Sequence, residues 1–334
     1  MNNEIVNLAP VILEEIKKAK RILLHLHPRP DGDSVGSSLA MMHVLEAMGK
    51  EVVLIKGDSP LPQFLSSLPG FSKIVLKNFF EIDLSEFDLF LVQDSSTIKF
   101  VSQLNDVVVP ETLKVIVIDH HASNVGFGQI NLLVPIYPAV CQILFDLFKE
   151  WGVTISTDTA KCLFVGMYTD TGGFSYSNTL PSTLKVAGDL ATIAPDFSKI
   201  IFEMNNSSTR GQLIYEGLAL NSVRTFLGDK VAISAVSFAD LKKNNIAVED
   251  TSVNIANRLK SVPGWEIGIS VLEEKEGQVK ISFRTRDSEK YDLTKIAVAL
   301  GGGGHRAAAG VVLGLPLEEA VKKVVSTLGD IYQI

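Results

Sequence analysis

Three short, nearly unbroken apolar runs in the first half of this chain break off abruptly into acidic and histidine residues. The runs are residues 21–27 (RILLHLH), 87–93 (FDLFLVQ) and 114–118 (KVIVI). They lead into His27-Pro28-Arg29-Pro30-Asp31-Gly32-Asp33-Ser34, Asp94-Ser95-Ser96 and Asp119-His120-His121. Runs this short, apolar on both faces, read as strands buried in a parallel sheet, as does 51–56 (EVVLIK). Helical periodicity over 5–19, 34–48, 138–150, 156–168 and 181–193 supplies the covering layers, with Ser34 as an N-cap and Gly49 as a stop for the second helix. The expectation is an α/β domain with a mainly parallel sheet flanked by helices. Open parallel sheets place their sites at the carboxyl ends of their strands, so the three segments should converge on one rim. A fourth segment, Asp170-Thr171-Gly172-Gly173-Phe174, ends a helix and enters a turn that can reach the same rim.

A chain of 334 residues has room for two domains. Composition shifts near residue 195: the stretch 195–222 is helical and polar-faced and reads as a connection. Beyond it, strands at 230–237, 265–273 and 278–284 mix with helices at 250–260 and 316–328, which predicts a smaller α/β domain. The domains are therefore 1–194 and 223–334, joined by a helical linker.

The formal net charge of −7 argues against long duplex nucleic acid as a partner, because neutralising phosphates needs an excess of Lys and Arg. Cys141 and Cys162 form no C-x-x-C pair and read as small core residues. No run reaches the roughly 18–20 apolar residues of a membrane span, and the first residues lack a basic segment followed by an apolar one. A reducing cytoplasm is the expected compartment.

Each acidic or histidine segment has an ordinary reading when taken alone. Asp31 and Asp33 suit a polar turn before a helix, and Asp94 suits a strand end bonding the next turn. Together they suit a two-metal hydrolytic centre, with His27 and Asp31 closing on one ion, Asp33 turning to a second and Asp94 able to bridge. Four of the six histidines are His25, His27, His120 and His121, and neutral imidazole is a common ligand of transition metals. His25 reads as core or as support for His27, and His43 as structural. In the second half, Gly301-Gly302-Gly303-Gly304-His305 offers exposed backbone amides. A dinucleotide-binding loop is excluded, because helix-like 292–300 precedes it and strand-like 308–313 follows, the reverse of what that site needs. Arg284 and Arg286 close a strand and can bond phosphate.

The pattern H-x-x-P-D-x-D-S-x-G-S, D-S-S, D-H-H-A-S-N, D-T-G-G-F and G-G-G-G-H, in this order over nearly the whole chain, resembles the DHH/DHHA1 phosphoesterases. Length and layout resemble their group of oligoribonucleases that also act on 3′-phosphoadenosine 5′-phosphate (pAp). The resemblance implies an N-terminal DHH catalytic domain and a C-terminal DHHA1 substrate domain. It implies two divalent ions, typically Mn²⁺, with His27 and Asp31 on one, Asp33, His120 and Asp170 on the other, and Asp94 on both. His121 would face the scissile phosphate and Asp119 would support the histidines. Arg284, Gly301, Gly302, Gly303, Gly304 and His305 would hold the substrate. The implied activity is hydrolysis of very short single-stranded RNA to mononucleotides, of pAp to AMP, or of both. Cyclic or linear dinucleotides (c-di-AMP, pApA, pGpG) are the alternative substrates, and homodimerisation is left open. Arg306 departs from the pattern, where a small or prolyl residue follows the histidine, and bears on substrate preference.

Overall fold

The structure, a computed structural model, describes residues 2–333 and divides into two compact units, Met1–Ser207 and Ser208–Ile334. The division falls inside the 195–222 stretch. Helix α6 (Phe197–Asn205) packs on α4 (Thr157–Asp170) of the first unit. Helix α7 (Arg210–Asn221) packs on α9 (Ile255–Lys260) and β7 (Val231–Val236) of the second.

Among the described residues, the first unit holds one sheet of β1 (Arg21–His25), β2 (Glu51–Ile55), β3 (Leu89–Gln93), β4 (Lys114–Asp119) and β5 (Ile130–Leu133). The order is β2-β1-β3-β4-β5 and every pairing is parallel. Strand β5 was not foreseen; its four residues are too short for a clear pattern, and Asn131 interrupts the apolar run. Both faces of the central strands are buried. Ile22 and Leu24 join a core with α1 (Asn3–Lys18), α2 (Gly32–Ala47), α3 (Val140–Glu150) and α4. Leu23, Phe90 and Val92 point the other way into a second core with Phe79 and Phe87. This double burial is why the strands look continuously apolar rather than alternating. The chain reverses its direction of winding between β1 and β3, the place where open α/β sheets leave a crevice at their carboxyl ends.

Helix α2 begins two residues before the expected start. Its N-cap is Asp31, not Ser34: the Asp31 carboxylate accepts from the Asp33 and Ser34 amides, each at 3.0 Å. A carboxylate at this place also meets the positive end of the helix. Helix α2 then lies very close to α4. A Cβ on Gly36 would stand 2.5 Å from the Cys162 carbonyl oxygen, and one on Gly166 would stand 2.8 Å from Asp33 Oδ1. These bare backbones let the start of α2 and the end of α4 come together, which carries Asp33 and Asp170 to one place. Cys141 and Cys162 are both buried, on α3 and α4.

The second unit, among the described residues, holds a mixed sheet in the order β10-β11-β9-β8-β7-β6. The remaining strands are β6 (Arg224–Phe226), β8 (Ile267–Lys275), β9 (Gln278–Thr285), β10 (Gly303–His305) and β11 (Ala308–Leu313). One face buries Ile269, Ile281 and Phe283 under α10 (Leu293–Ala299) and α11 (Leu317–Tyr332). The other face buries Ala232, Val236 and Leu272 under α7 and α9, with α8 (Phe238–Lys243) alongside. The glycine run forms β10 itself, and a Cβ on Gly302 would stand 2.2 Å from the Gly310 carbonyl oxygen. The expected helix at 250–260 is shorter: a single 3₁₀ turn covers Val248–Thr251 and α9 starts at Ile255.

Because α2 and α4 touch through backbone, Gly36→Ala should lower stability by about 1–3 kcal/mol, the cost of overpacking a filled contact. The roughly 1 kcal/mol helix-propensity advantage of Ala over Gly offsets only part of this. Urea unfolding of the metal-stripped chain measures it, and a variant as stable as wild type would show that the helices can part freely.

Candidate metal centre

The four segments meet at the carboxyl edge of the first sheet. His27 follows β1, Asp94 follows β3, Asp119 ends β4 with His120 and His121 behind it, and Asp170 ends α4. Three sets of ligand atoms each lie within 4.8 Å of one another: His27, Asp31 and Asp94; Asp33, His120 and Asp170; and Asp94, Asp119, His120 and His121. Asp94 belongs to two of the sets alongside His27 on one side and His120 on the other. Its Oδ2 is 3.4 Å from His27 Nε2 and its Oδ1 is 3.4 Å from His120 Nε2. Asp31 Oδ1 is 3.8 Å from His27 Nε2, and Asp170 Oδ2 is 3.5 Å from His120 Nε2.

The backbone around Asp94 is specialised. Its φ is +51°, a left-handed conformation that Asp adopts more readily than most residues. Its amide donates to the Ile118 carbonyl at 3.1 Å, which fixes the turn leaving β3. The residue is 3% exposed, and Oδ1 is buried without a hydrogen bond. A buried carboxylate oxygen without a donor is costly, and it is the sort of atom that a cation satisfies.

The histidines are oriented from behind. His120 Nδ1 faces the Tyr137 carbonyl at 3.3 Å, and His27 Nδ1 faces the Pro28 carbonyl at 3.0 Å. A carbonyl at Nδ1 favours the proton there and leaves the Nε2 lone pair directed inward, as ligand histidines require. His121 differs: its Nδ1 is 2.8 Å from Asp119 Oδ1 and it remains one-third exposed. Asp119 is fully buried, and its other oxygen accepts from Asn124 Nδ2 at 2.7 Å. Asp33 is also fully buried; its two oxygens accept from the Val140 and Cys141 amides, at 2.6 and 2.9 Å, at the start of α3. His25 is buried behind the site, with Nε2 3.3 Å from the Phe100 carbonyl and 3.4 Å from Ser95 Oγ. His43 lies within α2, away from these sets.

Several contributors carried no recognisable sequence signal. Tyr137, Val140 and Cys141 act through backbone groups, which residue type does not reveal. Phe100 sets its ring edge-on to His27, with centroids 6.3 Å apart. Asn124 stood within the D-H-H-A-S-N segment without a role; its amide joins Asp119 to the Ser95 carbonyl.

The electrostatics are those of a site short of positive charge. Burial pushes Asp33 up to about 7, with Asp94 adding to it. Burial also pushes Asp170 well above the carboxylate range, helped by Asp33, Asp31 and Asp94. Burial alone would lower His27 and His120, but the neighbouring carboxylates outweigh it. They lift His27 to about 11, chiefly through Asp31 and Asp94, and His120 to about 9, chiefly through Asp94. For Asp94 itself, burial is outweighed by His120 and His27, which hold it below the usual range. His25 is pushed down to about 3 by burial and by His27, so it stays neutral. The donor set of imidazole and carboxylate suits borderline divalent ions.

The substrate residues expected in the second half lie in the second unit. Arg284 is on β9, His305 on β10, and both face Ala308 of the intervening β11. Gly301 and Gly302 lead into β10, and Gly303 and Gly304 lie on it. Arg306 pairs with Glu289 at 3.2 Å and Asp292 at 3.4 Å, so its charge is met by its own unit.

Comparison with known proteins identifies the domain families of the two units. Residues 21–167 match the DHH family, N-terminal domain, and residues 228–333 match the DHHA1 domain. The chain therefore carries the DHH family's N-terminal domain followed in sequence by a DHHA1 domain. Among curated relatives it is similar to the "bifunctional oligoribonuclease and PAP phosphatase NrnA" of Thermus thermophilus, 29% identical over 96% of this chain and 93% of that one. The protein of the same name from Bacillus subtilis is 26% identical over 90% and 91%. An exopolyphosphatase-related protein from Bacteroides fragilis has the same fold, with a TM-score of 0.89 at 24% identity over 98% and 97%. Among the described residues, no helix is long and apolar enough to cross a membrane.

The raised carboxylates make a stability prediction. A carboxyl lifted by folding keeps its proton in the native state after the unfolded chain has lost it, so stability falls as pH rises above about 4. Asp170→Asn removes that loss. In the presence of EDTA, the variant should have a higher Tm than wild type at pH 8, with the gap narrowing towards pH 4. A lower Tm at pH 8 would show that the Asp170 charge is already compensated.

Proposed function

We propose that the chain is a two-metal phosphoesterase that hydrolyses very short oligoribonucleotides to mononucleotides, pAp to AMP, or both. The observation that carries this reading is Asp94, whose two buried oxygens face the ligand nitrogens of two separate His and Asp sets. The named activities of the Thermus and Bacillus relatives support the substrate class. The DHH domain match supports hydrolase chemistry. His27 and Asp31 would hold one ion, Asp33, His120 and Asp170 the other, and Asp94 both; Mn²⁺ is the metal we assign.

Two such ions would supply Lewis acidity towards a phosphoryl group and a water more acidic than bulk water. The protein's own residues do the rest. Asp94, held by its left-handed turn, fixes the spacing of the two ligand sets. Asp119, itself held by Asn124, holds His121 Nδ1, leaving its Nε2 to meet substrate. With Asp119 raising its basicity, His121 can carry a proton to a leaving nucleoside hydroxyl. Arg284 and His305 of the second unit bind phosphate and sugar oxygens. We assign the enzyme to the cytoplasm and exclude long duplexes as substrates, on its acidic charge and lack of an aromatic-rich basic track.

Mn²⁺-dependent product analysis tests the reading, with labelled RNA of two to about ten nucleotides, pAp, cyclic and linear dinucleotides and pyrophosphate offered in parallel. Mononucleotides should be released from the shortest RNAs, or AMP from pAp. Turnover confined to cyclic dinucleotides or pyrophosphate would overturn the substrate assignment. Asp94→Ala should lower turnover by about 10²–10³-fold or more, the scale of losing one preorganised charge. Wild-type turnover in that variant would remove Asp94 from its bridging role. His305→Ala should raise KM while leaving the bound Mn²⁺ content unchanged by elemental analysis. Loss of metal would contradict the separate roles of the two units.

A further inference from the structure

Among the described residues four aspartates are buried: Asp33, Asp94, Asp119 and Asp146. The first three belong to the ligand sets at the rim, and Asp146 does not. It sits in the middle of α3, flanked in sequence by buried Phe145 and Leu147. A carboxylate withdrawn from water in such a place needs a donor. Its Oδ2 accepts from the Tyr137 hydroxyl at 2.6 Å, the short spacing of a charge-assisted bond. Burial, with Asp146 beside it, holds that hydroxyl above the usual range for tyrosine, so it keeps the proton it donates. The Asn2 backbone bonds the same hydroxyl.

This bond ties down the entry to α3. Tyr137 precedes Pro138, and a residue before proline is pushed to extended backbone. The Tyr137 amide donates to the Val134 carbonyl at 3.0 Å, and the Val134 amide to the Asp119 carbonyl at 2.9 Å. With the side chain held as well, the Tyr137 carbonyl has a fixed direction, and it faces His120 Nδ1 at 3.3 Å. Ala139, the N-cap of α3, offers no side-chain bond to the helix, and the Val140 and Cys141 amides go to Asp33 instead. The stretch 137–141 therefore supports two members of one ligand set, Asp33 and His120. The other set is supported from its own loop. His27 Nδ1 faces the Pro28 carbonyl, and the Asp31 carboxylate takes the Asp33 and Ser34 amides.

We propose that Tyr137 and Asp146 are positioning residues for one ion of the pair: their bond sets the affinity of the Asp33, His120 and Asp170 site and leaves the His27 and Asp31 site unaffected. The proposal rests on the two-metal reading and adds that different parts of the chain support the two sites.

Manganese binding tests it. The full-length chain is stripped with EDTA, dialysed and titrated with Mn²⁺, with the free ion followed by electron paramagnetic resonance. Wild type should bind two ions. Tyr137→Phe keeps the ring and removes the hydroxyl. It should bind one ion as wild type does and the second about 10–100-fold more weakly, the usual cost of losing a partner behind a ligand. Asp146→Ala should do the same, and Asp146→Asn, which keeps an acceptor for the hydroxyl, should show a smaller loss. Adding His27→Ala to Tyr137→Phe should abolish the remaining tight ion, whereas adding His120→Ala should spare it. A role in stability alone would weaken both ions together or neither. Either result in a folded variant, with two ions still bound by wild type, overturns the proposal and leaves the two-metal reading standing. If Tyr137→Phe fails to fold by circular dichroism, Asp146→Asn carries the test, with selective weakening of one ion again expected. One ion or none in wild type would overturn the proposal together with the two-metal reading. Failure of the substrate assignment alone would appear elsewhere, as no hydrolysis of RNA or pAp, with the titration unaffected.

Discussion

Negative charge held out of water is the constraint around which the first unit is arranged. Asp33, Asp94 and Asp119 are each at most 3% exposed. Two unit charges 4 Å apart interact by about 4 kcal/mol at an effective dielectric constant of 20, so such a group cannot persist without compensation. The fold answers each carboxylate differently. Asp33 takes two backbone amides at the start of α3, and Asp119 takes Asn124, the His120 amide and His121. Asp94 faces the ring nitrogens of His27, His120 and His121, and its buried Oδ1 has no hydrogen-bond donor, so the cluster suits cations.

The rest of the unit delivers these groups. Parallel strands buried on both faces end together, so loops from β1, β3 and β4 arrive at one rim. The backbone contact between α2 and α4 brings Asp170 to Asp33 from outside the sheet. Few of the positioning forces are unusual taken singly. A helix cap, an Asp turn, a helix N-terminus and a glycine contact are ordinary devices, and here each positions one candidate ligand group.

How much could be read beforehand depended on whether information lay in residue type or in backbone geometry. Continuous apolar runs announced β1, β3 and β4, and their abrupt acidic ends announced the rim. Strand β5 was hidden because four residues carry little pattern, and β10 because glycines carry almost none. The α2 cap was misplaced because Ser34 and Asp31 both suit that position, and only the helix start at Gly32 separates them. The residues brought together at the rim were all visible as His or Asp. What fixes them was not: the carbonyls of Pro28 and Tyr137 and the amides of Val140 and Cys141 act independently of side-chain identity.

The second unit complements this logic with positive and small residues where the first is negative and crowded. Arg284 and His305 share one cross-strand row, and Arg306 is already engaged by Glu289 and Asp292. The first unit thus gathers carboxylates and histidines at its rim, and the second places Arg284 and His305 on one cross-strand row. The central claim is that Asp94 joins two ion sites, and anomalous diffraction from crystals grown with Mn²⁺ tests it most directly. The account predicts two manganese peaks in the first unit, one beside His27 and Asp31, the other beside Asp33, His120 and Asp170, with Asp94 contacting both. A single peak, or two peaks that Asp94 does not contact, would contradict it.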